Sequence, residues 1–214
     1  MANIINNLLE IKERIKNISP NVKLVAVSKF QPKEAITQAI KAGHSVFGEN
    51  RVQEALEKWP ELKKNNPDIK LHLIGPLQTN KIKDAIKIFD VIEVVDRPKL
   101  AESLLKEMKN ADKFPVCYIQ VNVGSEPQKA GVLPEEADFF IEKCVSDGLR
   151  VKGLMCIPPV NEDPVPYFKM LKNLADKNGL AEISMGMSAD YELAIAHGAT
   201  EVRVGSQIFG SRSI

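Results

Sequence analysis

The chain has 214 residues, enough for one large α/β domain or two small ones. Its composition, 44% hydrophobic and 27% charged, excludes a disordered chain and a membrane-embedded one. With 29 Lys and Arg against 28 Asp and Glu the net charge is +1, which argues against nucleic acid or an anionic membrane as partner.

The N-terminal stretch "MANIINNLLEIKERIKNI" carries acids where a signal peptide would be continuously apolar. Ile4, Leu8, Ile11, Ile15 and Ile18 fall on one face of a helix there. Eight short strand-like runs follow, alternating with helical segments. They are 22–29, 45–50, 70–75, 91–95, 116–123, 151–157, 182–187 and 201–206. Between the first two, "PKEAITQAIKAG" has Pro32 at its first turn and Gly43 at its stop. An open doubly wound sheet would alternate in the same way, but eight units without a G-x-G-x-x-G turn after the first strand favour closure. The expectation is one (β/α)8 TIM-type barrel over residues 1–214, preceded by an extra helix. Only "SRSI" is left after Gly210. Three cysteines, Cys117, Cys144 and Cys156, lack C-x-x-C spacing and read as buried free thiols, which with the missing signal segment implies a cytoplasmic protein.

Strands covered on both faces should be apolar almost throughout. Several of these are not. His72 stands between Leu71 and Leu73, Tyr118, Gln120 and Asn122 alternate with aliphatics, and Arg203 stands between two valines. Side chains alternate faces along a strand, so the polar set points into the barrel. Buried polar groups need partners, and a polar ligand is an economical one.

Barrels of this kind keep their sites at the C-terminal strand ends. Those positions hold Lys29, Glu49-Asn50, Gly75-Pro76, Asn122, Met185 to Ser188 and Gly205-Ser206. Backbone N–H groups at helix starts, with Ser188, Ser206 and the flexible Gly205, make a phosphate cradle after strands seven and eight. Each feature has a plainer reading: Ser188 as an N-cap, His72 as a core histidine, Arg203 as half of an ion pair with Glu93, the Met185–Met187 pair as packing. Taken together they put an amine, an arginine and a phosphate cradle at one barrel end. A lysine among apolar neighbours and near another cation has its neutral amine favoured. Such an amine facing a phosphate site suits pyridoxal 5′-phosphate, with Lys29 forming the Schiff base and Arg203 facing the pyridine nitrogen.

The blocks "AVSKFQP", "FGENRVQE", "HLIGPLQTNK", "VNVGSEPQKAG", "GLMCIPP" and "SMGMSADYELAIAHGATEVRVGSQIFG" resemble, in this order, those of the pyridoxal-phosphate homeostasis protein family, also described as YggS-like or proline-synthetase co-transcribed proteins. The resemblance spans about Val22 to Gly210. It implies a barrel similar to the N-terminal domain of alanine racemase, with the cofactor held as an aldimine on Lys29. It further implies phosphate contacts from Ser188, Gly205 and Ser206, Arg203 at the pyridine nitrogen, Asn50 beside the cofactor, and His72 and Met185 as pocket walls. Gly124 departs from the pattern, since many relatives carry Ser or Thr there.

Three functions fit these residues. The first is a non-catalytic carrier or regulator in vitamin B6 homeostasis, monomeric, holding pyridoxal 5′-phosphate without a metal and serving apoenzymes that need it. The second is a weak amino-acid racemase or lyase using the same cofactor. Against it, a barrel consumes the chain and leaves no second domain to bring an opposing tyrosine. The third is a barrel aldolase in which Lys29 binds a sugar phosphate directly.

Overall fold

Eight parallel strands close on themselves in the computed structural model, which describes residues 3–210. They are β1 (Lys23–Val27), β2 (Val46–Glu49), β3 (Lys70–Leu73), β4 (Val91–Val95), β5 (Val116–Val121), β6 (Val151–Cys156), β7 (Glu182–Ser184) and β8 (Glu201–Val204). Each strand pairs with its neighbours in sequence, and β8 returns to β1 with Val25 beside Arg203. The barrel and its eight strands are as the sequence predicts. The predicted runs overshoot at their C-terminal ends by one to three residues, β4 excepted, because the chain bends there into the loops that carry the candidate site.

The helices are α1 (Ile4–Ile18), α2 (Lys33–Lys41), α3 (Val52–Asn65), α4 (Ile82–Ile88), α5 (Pro98–Ala111), α6 (Pro134–Ser146), α7 (Val165–Lys177), α8 (Tyr191–Ala196) and α9 (Ser206–Phe209). Pro at the first turn of α5, α6 and α7 loses no hydrogen bond, since that N–H has no partner within a helix. The extra helix α1 is capped by Asn3, whose side chain accepts from the Asn6 N–H at 3.1 Å. It buries Ile4, Leu8, Ile11 and Ile15, each contributing roughly 2 kcal/mol. Ile18 is the exception: at the last position of the helix it projects past the packed face and is 44% exposed. α1 packs against α2, α8 and α9, and Asn7 Nδ2 donates to the Ile208 carbonyl at 3.1 Å. The helix therefore braces the short α9 at the barrel mouth.

Strand alternation divides the side chains as predicted. Leu71, Leu73, Ile92, Val94, Cys117, Ile119, Val202 and Val204 form the buried aliphatic layer, while His72, Glu93, Tyr118, Glu201 and Arg203 occupy the opposite face. The three cysteines are free and buried, and burial pushes their thiols up, Cys144 to about 11 and Cys156 to about 12. Among the described residues no helix is long and apolar enough to cross a membrane. The last four residues, "SRSI", lie outside the described part of the chain.

Candidate cofactor site

A cavity of about 210 Å³ opens at the C-terminal ends of the strands. It brings together Lys29, Asn50, Ser188, Arg203, Gly205 and Ser206, with Val27, Ile74, Ile157 and Met187 as apolar walls. Six of the eight residues expected from the sequence therefore share one pocket.

One corner of the cavity is built by two loops. Ser188 is not the N-cap of α8, which starts at Tyr191 after Asp190. Freed from capping, the Ser188 hydroxyl accepts from the Gly205 N–H at 3.4 Å and from the Ser206 hydroxyl at 3.2 Å. Gln207 Nε2 donates to the Ser188 carbonyl at 2.6 Å, so the loops after β7 and β8 are stitched together. Gly205 lies close against β1, where a Cβ would come within 3.1 Å of the Val27 carbonyl oxygen. A side chain there would be a tight fit, and the loop or β1 would have to give by a few tenths of an ångström.

Asn50 lines the facing wall, and its buried Oδ1 has no hydrogen-bond partner. An unpaired buried acceptor costs about 1–3 kcal/mol, which a ligand donor at this position would offset. Gly75 makes the position available, since a Cβ there would lie 2.3 Å from the Asn50 carbonyl oxygen. The sequence marked Gly75 as a strand end without exposing this role.

Arg203 forms the floor. Its Nη1 donates to Ser184 Oγ at 2.6 Å and its Nη2 to the Cys156 carbonyl at 2.7 Å, and it is 3% exposed. Ser184 in turn donates to Glu93 Oε2 at 2.6 Å, and His72 Nδ1 lies 2.6 Å from Glu93 Oε1. Glu201 continues the column, accepting from the Tyr118 hydroxyl at 2.8 Å and from Lys23 at 3.3 Å. Burial alone would raise the Glu93 carboxyl and lower the His72 imidazole. Their mutual hydrogen bond and charge reverse both effects, helped at Glu93 by Arg203 4.0 Å away and at His72 by the charge of Glu201. The Glu93 carboxyl is held below its ordinary pKa and the His72 imidazole above its own. The ion-pair reading of Arg203 with Glu93 thus holds alongside its place in the pocket floor. His72, Glu93 and Glu201 bring donor atoms within 4.8 Å of one another, with the Arg203 guanidinium 4.0 Å from Glu93.

Two expected residues are elsewhere. His72 pairs with Val91, the first residue of β4, and so sits low in the barrel. It lines a separate cavity of about 590 Å³ at the N-terminal end, with Lys23, Tyr118 and Glu201. Met185 is fully buried away from the cavity: Ser184 points inward, so its neighbour must point out. Gly186, at φ +88, then turns the chain so that Met187 becomes the wall. Asn122 and Gln120 fold their own loop, donating to the Glu126 carbonyl at 2.8 Å and the Ala130 carbonyl at 3.1 Å. A side chain at Gly124 would meet Pro159 at 2.5 Å, which accounts for the small residue there.

The family model for the alanine racemase N-terminal domain matches residues 1–213. The chain belongs to this family. Among curated members, a protein of Aquifex aeolicus named pyridoxal phosphate homeostasis protein is 38% identical, over 99% of this chain and 96% of its own length. PipY of Synechococcus elongatus, solved without PLP, superposes with a TM-score of 0.90 at 38% identity, covering 97% of this chain and 100% of that one. The same protein solved with PLP bound gives 0.85 at 36% identity with the same coverage. An alanine racemase of Clostridium difficile shares the fold alone, at 16% identity and a TM-score of 0.75, over 98% of this chain and 58% of that one.

Proposed function

We propose that this barrel is a pyridoxal 5′-phosphate-binding protein of vitamin B6 homeostasis that holds the cofactor through Lys29 and turns over no substrate. Convergence of an amine, an arginine and a hydroxyl-lined glycine corner on one small cavity carries this reading. The names of the relatives and the cofactor-bound PipY structure support it. When bound, the cofactor supplies an aldehyde for an amine to hold and a ring able to act as an electron sink.

The residues divide the work. Ser188, Ser206 and the backbone at Gly205 bind the phosphate, Ile74, Ile157 and Met187 exclude water from the ring, and the unpaired Asn50 Oδ1 accepts a hydrogen bond from the cofactor. Arg203 has five N–H donors, two of which are used by Ser184 and the Cys156 carbonyl, leaving others for the ring nitrogen. A guanidinium donates a hydrogen bond but gives up no proton, so the ring stays neutral and stabilises a carbanion poorly.

Among the described residues, no tyrosine stands at the cavity to act as a second base. The tyrosines are engaged elsewhere, Tyr118 with Glu201, Tyr167 with Glu162 and Tyr191 with Glu192, and none lines the cavity. His72 is equally remote. A monomeric single-domain carrier that supplies apoenzymes fits these features better than a racemase does. Deuterium washout from the α-carbon of alanine, followed by NMR, tests this. Negligible washout is expected from the loaded wild type, and a Glu at Arg203 should raise it by supplying a proton to the ring nitrogen. Washout by the wild type at the rate of a working racemase would establish the enzyme instead.

A further inference from the structure

Lys29 enters the cavity from a turn that its own residues disfavour. Ser28 to Gln31 form a β-turn closed by the Gln31 N–H on the Ser28 carbonyl at 3.1 Å. Its third residue is Phe30, at φ +62. Turns with positive φ at that position normally place glycine there, because a side chain crowds the backbone. A bulky residue persists in such a conformation only where its surroundings enforce it, and such strain concentrates at functional sites.

The enforcement comes from the second strand and the helix after it. Glu54 Oε1 accepts the Phe30 N–H at 2.6 Å. Lys58, 8% exposed, donates to the Ser28 carbonyl at 2.9 Å and the Gln31 carbonyl at 3.4 Å, at either end of the turn. Its charge is held in place by Glu54 at 2.8 Å and by the buried Glu49 at 2.7 Å, and Glu49 also accepts from Ser28 Oγ. The Arg51 guanidinium stands 5.7 Å over the Phe30 ring. None of Glu54, Lys58 or Phe30 lines the cavity, so they touch the turn and not its ligand.

We propose that Glu54 and Lys58 are positioning residues that clamp the Phe30 turn in its strained form and so keep the Lys29 amine aimed at the cofactor's aldehyde. The proposal rests on the reading of Lys29 as the attachment point. Attachment needs the neutral amine to add to the aldehyde carbon. The carbonyl oxygen then departs as water with both amine hydrogens, a C=N bond replaces C=O, and no oxidant or reductant takes part. Only that step depends on where Nζ points. The contacts assigned to phosphate and ring come from Ser188, Gly205, Ser206, Arg203, Ile74, Ile157 and Met187, none of which belongs to the turn, whose last residue, Gln31, also lines the cavity.

The experiment compares two ligands on the full chain. Pyridoxal 5′-phosphate reports attachment, through its visible absorbance. Pyridoxine 5′-phosphate keeps the ring and phosphate but has no aldehyde, so it reports the remaining contacts. Glu54→Ala should weaken the first about tenfold, the scale of the released strain, and leave the second within about twofold. Glu54→Gln, which retains an acceptor for the Phe30 N–H, should recover part of the loss. Adding Phe30→Gly to Glu54→Ala should recover more, because glycine adopts the turn without a clamp. Equal losses for the two ligands, no loss from Glu54→Ala, or no rescue by glycine would each overturn the proposal while leaving the carrier reading intact. A wild type that binds both ligands equally with no visible band would instead remove the carrier reading, and the proposal with it.

Discussion

At the scale of single residues, Ser188 and Ser206 are the two hydroxyls proposed to hold the phosphate. Their hydroxyls are 3.2 Å apart and bridge two loops, so both are oriented before a ligand arrives. A hydrogen bond to a charged group contributes about 1.5–3 kcal/mol, and water compensates part of any loss. Replacing both serines by Ala should therefore weaken pyridoxal 5′-phosphate by about 2–4 kcal/mol and hardly change binding of unphosphorylated pyridoxal. Isothermal titration with the two ligands measures the difference. Equal losses would show that the corner does not hold the phosphate. Both serines are legible in the sequence, Ser206 from the Gly-Ser that ends strand eight and Ser188 from its place at the expected helix start after strand seven. Their mutual bond is not, since it joins residues 18 apart across two loops. The misplacement of His72 has the opposite origin. Its alternation in β3 was read correctly, but alternation gives a side chain's face and says nothing of its height in the barrel.

Among the elements, strands were the most legible, since a period of two and the turn residues between runs determine them locally. Their last residues were not, because apolar residues such as Ile74 and Met187 continue the pattern while the backbone has already left the sheet. The α2–β2 connection holds an element-scale consequence in His44, 6% exposed, which bonds the Val46 carbonyl at 2.8 Å and meets Phe47 edge-on. Burial, helped by the charge of Lys12, lowers its pKa to about 4. The unfolded chain takes up this proton from about pH 6.5 downward, so acid favours unfolding and the contribution of His44 falls between pH 6.5 and 4. Its full size is roughly 3 kcal/mol. Other groups differ in sign or window. The raised pKa of His72 gives stability fully present below about pH 6.5 and lost as pH rises through its folded value. The lowered pKa of Glu93 gives stability lost only as pH falls below about 4.5, while Glu49 and Glu201, raised by burial, favour the folded state on acidification. A His44→Gln variant isolates the histidine, because these groups remain in both proteins. The stability gap between wild type and variant should narrow by roughly 2–3 kcal/mol from pH 7 to pH 4.5 in urea unfolding. A gap that stays constant would mean that His44 is protonated in the folded protein.

For the whole molecule, closure of the barrel gathers six residues from β1, β2, β7 and β8 and their loops around one cavity. That gathering was readable because eight alternating units leave few topologies, and because barrels keep their sites at one end. The buried column from Arg203 through Ser184 and Glu93 to His72 and Glu201 was only partly readable. The sequence offered Glu93 as a partner for Arg203, but the bond from Ser184 on β7 to Glu93 on β4 and the approach of Glu201 on β8 to His72 on β3 join strands far apart in the chain. The column holds Arg203 in one orientation, the proposed clamp on the Phe30 turn holds Lys29 in another, and both line the one cavity. Everything in the functional account depends on that meeting. Borohydride reduction of the protein mixed with pyridoxal 5′-phosphate, followed by peptide mapping, tests it most directly. The account predicts loss of the visible band on reduction, a single stable label on Lys29, and no label in Lys29→Ala, which should fold normally and keep weaker binding through the phosphate corner. A label on another lysine, or a Lys29→Ala protein with an unchanged band and affinity, would contradict it.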